Sequence, residues 1–282
     1  MTRTAPADRG FWHPSPLLLA SAGVHSVAVG SLVVSPHAWP LALGALVANH
    51  ALIAAASMAP RSRLLGPNLT RLPGPPRGML ALTFDDGPDP DVTPRILALL
   101  EQAGAVATFF CIGRRAQQHP ELVADIRARG HGIENHTFSH HSGFALGWPA
   151  AMRVEVQRGQ AALVAAGADR PRFFRAPAGM QNPWLAAVLR AEGLLLVSWT
   201  RRGFDTVTSD PRVVARRLVR NLTAGDILLM HDGRSARTAT GAPVVLDALP
   251  RVLDEMVARG LRSNALGALL PAPAPGSAPD AG

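Results

Sequence analysis

The chain contains no tyrosine, no lysine and one cysteine, Cys111. A single thiol excludes an internal disulfide and any cysteine-based zinc cluster, so a bound metal needs histidine and carboxylate ligands. Without lysine the formal net charge of +8 rests on arginine, and the arginines occur in ones and twos with no long basic block. That distribution reads either as a surface facing anionic lipid headgroups or a phosphate-bearing substrate, or as plain arginine-rich composition, and it argues against a nucleic-acid partner. Charge of either sign is scarce, at 17% of residues against 48% hydrophobic, which excludes a disordered chain and lets 282 residues bury a full core.

Charge is missing altogether between Arg9 and Arg61, and this window holds two apolar runs, Leu17 to Val34 and Leu41 to Met58. Each is near the length a helix needs to cross ~30 Å of hydrocarbon. The break, Ser35-Pro36-His37-Ala38-Trp39-Pro40, carries two helix-stopping prolines and a tryptophan of the kind found at membrane interfaces. A secretory signal peptide has a shorter apolar core and ends at a cleavage site instead of leading into a second run. Residues 15–59 therefore read as a two-helix transmembrane hairpin behind a tail at 1–14. His25, Asn49 and His50 inside it are expected to hydrogen-bond across the hairpin rather than to mark function. Arg3 and Arg9 precede the hairpin and Arg61, Arg63, Arg71 and Arg77 follow it, which by the positive-inside rule puts both ends in the cytoplasm. The expectation is a multi-pass protein of bacterial inner-membrane type whose globular domain is cytoplasmic.

Residues 60–78, with Pro60, Pro67, Pro73, Pro75 and Pro76, read as a linker outside the core. From 79 to 268 short apolar runs alternate with longer amphipathic ones. Strands are expected at 79–85, 107–112, 132–136, 172–177, 194–199 and 226–231, and helices at 93–103, 117–129, 151–166, 183–192, 210–222 and 244–259. Strand then helix, repeated about six times, predicts an α/β fold of parallel strands closed or nearly closed as a (β/α) barrel, with its chemistry at the strand ends. Residues 269–282 are Pro/Ala/Gly-rich and expected to be disordered.

The first strand runs directly into Asp85-Asp86-Gly87-Pro88. Adjacent carboxylates repel, and neighbours on a strand point to opposite sides, so the pair is tolerable if one binds a cation and the other meets a different partner. Alone, Asp-Gly-Pro is ordinary turn chemistry. The third strand ends in His136-Thr137-Phe138-Ser139-His140, and on one helical turn this spacing puts both imidazoles on one face. With Asp86 they would form a two-histidine, one-aspartate set with open positions, as catalytic metal sites have. The fourth strand ends at Arg175 and the sixth at His231, one able to hold a carboxylate ionised and the other to donate a proton. All lie at one rim of the expected barrel.

Over roughly residues 77 to 265 these motifs resemble, in order, those of the polysaccharide deacetylases of the NodB-homology type, carbohydrate esterase family 4. The resemblance implies a distorted (β/α) barrel of that type and a carbohydrate N-deacetylase that needs a divalent metal, expected to be zinc. It implies Asp85 as general base, Asp86, His136 and His140 as ligands, Arg175 orienting the base, Asp205 (with Trp199) beside the catalytic histidine, and His231 as general acid. Two positions depart from the pattern: Ala178 stands where the family has a tyrosine whose backbone N–H serves the oxyanion hole, and Thr206 where an aromatic is common. The backbone donor survives at Ala178 while an aromatic wall is lost, so the sugar pocket is expected to be wider or differently shaped. The expected substrate is an acylated amino sugar, acetyl or formyl, on a lipid phosphate near the membrane. The alternatives are a peptidoglycan or exopolysaccharide with the domain facing outward, and a non-catalytic sugar-binding protein of the same fold.

Overall fold

The computed structural model describes residues 13–270. The tail at 1–14 lies outside these apart from His13 and Pro14, and so does the tail at 269–282 apart from Leu269 and Leu270. Leu269 is not part of a loose end: it is buried on a short closing helix.

In chain order the elements are helices α1 (Pro16–Val34) and α2 (Trp39–Met58), then β1 (Met79–Asp85), α3 (Thr93–Gln102), β2 (Ala107–Cys111), α4 (Gly113–Gln118), α5 (Pro120–Ala128), β3 (Gly132–Asn135) and α6 (Pro149–Ala165). They continue with β4 (Phe173–Phe174), α7 (Leu185–Glu192), β5 (Leu195–Leu196), β6 (Arg201–Arg202), α8 (Pro211–Val219), β7 (Ile227–His231), α9 (Val244–Ala258), β8 (Arg262–Ser263) and α10 (Leu266–Leu269). Every pairing is parallel, in the order β5-β4-β3-β2-β1-β7-β6, with β8 added beside the start of β1. Strand alternation divides the core. Leu80, Leu82 and Phe84 of β1 pack outward against α3 and α9, while Ala81 packs inward with Phe110, Val197 and Leu229. Asp85, next on the inward side, therefore points into the barrel.

The sheet curls but does not close. β5 and β6 are separated by only Val197, Ser198, Trp199 and Thr200, whereas neighbouring parallel strands need a crossover of about a dozen residues or more. The seam this leaves beside β5 is met by the segment ahead of β1. Leu69 N–H donates to the Leu196 carbonyl at 2.9 Å, and Ser198 N–H donates to that of Leu69 at 2.8 Å.

Residues 60–78 thus differ from the linker their proline content suggested. Leu65 and Leu72 are buried, the Arg71 guanidinium meets Asp226 at 2.6 Å, and Leu72 N–H donates to the Gly225 carbonyl. Proline removes hydrogen-bond donors but does not stop intervening leucines from covering a seam. The helix expected at 117–129 also divides, because Pro120 opens a new helix directly after His119. β6, β8 and α10 were not expected at all.

α1 and α2 turn back on each other through a short 3-10 turn, Pro36–Ala38. Asn49 Nδ2 donates to Ser21 Oγ at 2.9 Å, the cross-hairpin bond expected of it. The His25 and His50 rings meet edge to face at 5.2 Å, while each Nδ1 bonds a carbonyl of its own helix instead of crossing to the other. The helices are 19 and 20 residues long and mostly exposed, sufficient in length and composition to cross a membrane. If the seam segment is structural, Leu65→Ala and Leu72→Ala should each cost about 2–5 kcal/mol. Thermal unfolding of the full chain in detergent would show this as a lowered Tm, and an unchanged Tm in both variants would return residues 60–78 to the status of a linker.

Candidate active site

The site forms where parallel strands end together. Register pairs Asp85 at the end of β1 with His231 at the end of β7, while His136 and Arg175 follow β3 and β4 directly and Asp205 stands three residues past β6. The backbone is held in the left-handed region at Asp86 (φ 74), Thr137 (φ 64), His140 (φ 52), Ala178 (φ 55) and Arg234 (φ 58). Such residues cost about 1–3 kcal/mol each and persist where surrounding structure dictates them, commonly at functional sites.

Asp86, His136 and His140 converge. One ligand atom from each lies within 4.8 Å of the others, with Asp86 Oδ1 3.0 Å from His140 Nε2 and 3.5 Å from His136 Nε2. The residues fit a divalent cation. His136 Nδ1 lies 2.8 Å from the Arg175 carbonyl, so its N–H is used there and Nε2 keeps a lone pair for a ligand bond. Asp86 Oδ1 is buried and accepts no hydrogen bond among the described residues, which is costly unless a cation takes it up. The two histidines do not meet by helical spacing, as their sequence separation suggested, because residues 136–140 form a bend. Asn135 Oδ1 accepts from Thr137 N–H at 2.8 Å, Thr137 Oγ1 accepts from His140 N–H at 3.0 Å, and Glu155 Oε2 accepts from both Ser139 N–H and Oγ at 2.9 Å. Asn135, Thr137 and Glu155 shape the bend; Thr137 lies inside the His136–His140 motif, while Asn135 and Glu155 lie outside it and only their place beside the histidines would have suggested them.

Asp85 faces a fully buried arginine. Arg175 Nη1 donates to Asp85 Oδ1 at 2.7 Å and to Thr83 Oγ1 at 2.8 Å, Nε and Nη2 donate to the Val197 and Ser198 carbonyls, and the guanidinium lies 4.0 Å above the Phe110 ring. One oxygen of Asp85 is thereby fixed, and Oδ2 stands 3.9 Å from His136 Nε2. On the other side Asp205, buried, accepts from His231 N–H at 2.7 Å and holds His231 Nδ1 at 2.9 Å. Burial opposes the charged imidazolium of His231, but the touching Asp205 carboxylate, then Asp85 and Asp86, outweigh it and raise its pKa above the ordinary histidine value.

These groups line a cavity of about 310 Å³ together with Ala178, Gly179, Trp199, Thr206, Leu229, Arg202 and Arg234. Every sequence-predicted site residue except Arg175 and Asp205 reaches this cavity directly; those two lie behind it, against Asp85 and His231. Arg202 and Arg234 were not anticipated, being indistinguishable in sequence from the other scattered arginines. A larger cavity, about 1120 Å³, lies between residues 63–73 and α7 and contains none of the site residues. The smaller one is the candidate because the chemistry is there.

The polysaccharide deacetylase family model matches residues 73–197. The chain is 34% identical over 194 residues to a peptidoglycan-N-acetylglucosamine deacetylase of Bacillus cereus, covering 68% of this chain and 88% of that one. A chitooligosaccharide deacetylase of Azorhizobium caulinodans is 35% identical over 188 residues, covering 64% and 88%. Among solved structures, a family 4 carbohydrate esterase from Streptomyces lividans in complex with acetate superposes with a TM-score of 0.59 at 34% identity, covering 66% of this chain and 91% of that one. The fold, the order of the motifs and these similarities agree: the chain belongs to the polysaccharide deacetylase family and is a carbohydrate deacetylase.

Proposed function

We propose that the protein is a divalent-metal-dependent hydrolase that removes an N-acyl group, acetyl or formyl, from an amino sugar presented at a membrane surface. The observation that carries this is the meeting of Asp85, Asp86, His136, His140 and His231 around one small cavity. Two imidazoles and one carboxylate suit zinc, and a bound cation supplies a Lewis acid that brings the pKa of water from 15.7 toward ~7.

The remaining work belongs to side chains. An amide is a poor electrophile with a poor leaving group, so a base, an oxyanion donor and an acid are all needed. Asp85, with Oδ1 tied to Arg175, offers Oδ2 to take the proton of the attacking water. The Ala178 N–H on the cavity wall serves the developing oxyanion, a role worth about 2.7–4 kcal/mol in comparable sites. His231, held through Nδ1 by Asp205, delivers a proton from Nε2 to the departing sugar nitrogen.

Membrane presentation is supported by how α2 meets the site. Gln181 N–H donates to the Ser57 carbonyl at 3.0 Å, Ser198 Oγ donates to the Pro60 carbonyl at 2.5 Å, and a side chain on Gly179 (φ 73) would run into Pro60 and Trp199 at 2.6 Å. The end of an apolar helix is thus attached to the residues that wall the cavity. Similarity to a peptidoglycan deacetylase favours a second reading, a wall glycan reached from outside the cell. A C-terminal reporter active only outside the cytoplasm would decide for it and against the cytoplasmic placement that the flanking arginines suggest.

Chelation of the purified protein should abolish hydrolysis of an N-acetyl sugar, and zinc should restore it; a preparation stripped of metal yet fully active would end the metal-dependent reading. Asp85→Asn should lower kcat by at least ~10²-fold with metal content unchanged, whereas loss of the metal would make Asp85 a ligand instead of the base. Since His231 acts protonated, kcat should fall as pH rises through its elevated pKa. Asp205→Asn removes the charge that elevates it, so this alkaline limb should move to lower pH; a limb that stays in place would assign it to another group.

A further inference from the structure

Two arginines reach the catalytic cavity without an acidic partner. Arg202, at the end of β6, lies against the Trp199 and Phe204 rings at 5.4 and 4.8 Å, and its Nε is buried with no hydrogen-bond partner. Its neighbour Arg201 behaves as structural arginines do, pairing with Asp226 at 3.2 Å. Arg234 lines the same cavity from a left-handed backbone position after β7. Neither Arg202 nor Arg234 forms an ion pair among the described residues.

Charge counting shows what this does to the cavity. Asp85 is balanced by Arg175, and Asp205 lies against His231. Asp86 is then one negative charge facing the two positive charges of Arg202 and Arg234, and a divalent cation would add to the excess. The general base, general acid and ligand set of an amide hydrolysis need neither arginine. Two guanidiniums at the mouth of a deacetylation site suit a substrate that carries negative charge beside its acylated sugar, and planar guanidinium donors match phosphate oxygens especially well.

The surroundings indicate how that phosphate arrives. Leu146 and Trp148 are strongly exposed on the loop that Asn182 holds by donating to the Gly147 carbonyl at 3.1 Å, and exposed Trp184 stands two residues after Asn182. Gln181, next to Asn182, carries the bond to Ser57 of α2. Exposed tryptophans beside the end of an apolar helix are what a protein seated at a bilayer interface presents.

We propose that Arg202 and Arg234 form a phosphate-recognition subsite, and that the enzyme prefers an N-acyl amino sugar joined through phosphate or diphosphate to a membrane lipid. This rests on the deacetylase reading above and adds the substrate's anionic group. The test is steady-state hydrolysis by metal-loaded full-length protein of three substrates: N-acetylglucosamine linked by diphosphate to a polyprenyl chain in phospholipid vesicles, N-acetylglucosamine 1-phosphate, and an uncharged chitooligosaccharide. Both phosphorylated substrates should exceed the uncharged one in kcat/KM by about tenfold or more. Arg202→Gln and Arg234→Gln should each erase most of that ratio, while the two lysine variants keep a larger part of it.

Equal losses on charged and uncharged substrates would overturn the proposal. So would a gain confined to the lipid form and retained by the glutamine variants, which would credit the apolar rim, or a preference for a carboxylate-bearing glycan. Hydrolysis of the uncharged substrate with no gain from phosphate leaves the deacetylase reading standing and ends this one. Hydrolysis of none of the three, offered both as N-acetyl and as N-formyl forms, ends both.

Discussion

The Arg175–Asp85 pair is the contact on which the site depends. A fully buried guanidinium is tolerable only with its charge matched and its donors used, and here Asp85, Thr83 and the carbonyls of Val197 and Ser198 meet that need. The same residue works from its backbone as well: the Arg175 carbonyl takes the His136 Nδ1 proton, which fixes the ring's tautomer. On the proposed reading one side chain orients the base and one carbonyl prepares a metal ligand, so the two halves of the site are coupled through a single residue just past β4. Because Val197 and Ser198 belong to the stretch that crosses from β5 to β6, the contact also ties that stretch to Asp85 at the end of β1.

Much of this could be read from residues alone, for identifiable reasons. β1, β2 and β7 are continuous apolar runs buried on both faces, and such runs mark central parallel strands whatever surrounds them. Their polar ends, Asp85-Asp86 and His231, stand out because the runs before them are so uniform. His136 and His140 come together, but not by the helical spacing expected: a bend sustained by Asn135, Thr137 and Glu155 brings them together, and no spacing rule contains it. β6 was illegible because it is two arginines long, one bound to Asp226 and the other aimed into the cavity, with no hydrophobic pattern to announce a strand. The segment ahead of β1 was misjudged because proline content reports what a backbone cannot donate, not what its leucines can cover.

Both departures from the family's pattern line the cavity. Ala178 and Thr206 are small where the pattern is aromatic, and both line the cavity with Trp199 and the two arginines. Removing aromatic surface weakens the stacking on which recognition of a neutral sugar chain relies. Adding unpaired guanidiniums strengthens recognition of charge. On the proposed reading the catalytic groups are kept while the surface that selects the substrate changes character, which is how one chemistry is transferred between substrates on a conserved fold.

The seam beside β5 has a mechanical consequence. The chain that covers it is the chain that leaves α2, and between Ser57 and Leu72 it is bonded to the barrel repeatedly. The barrel is therefore bonded to the chain leaving α2 and is not joined to the helical hairpin by a free tether. On the proposed reading the mouth of the cavity sits at a set height above the lipid, and scissile groups at that height are met without search while those farther out along a glycan are out of reach. Lengthening the connection would widen the range of substrates touched and dilute the effective concentration of each.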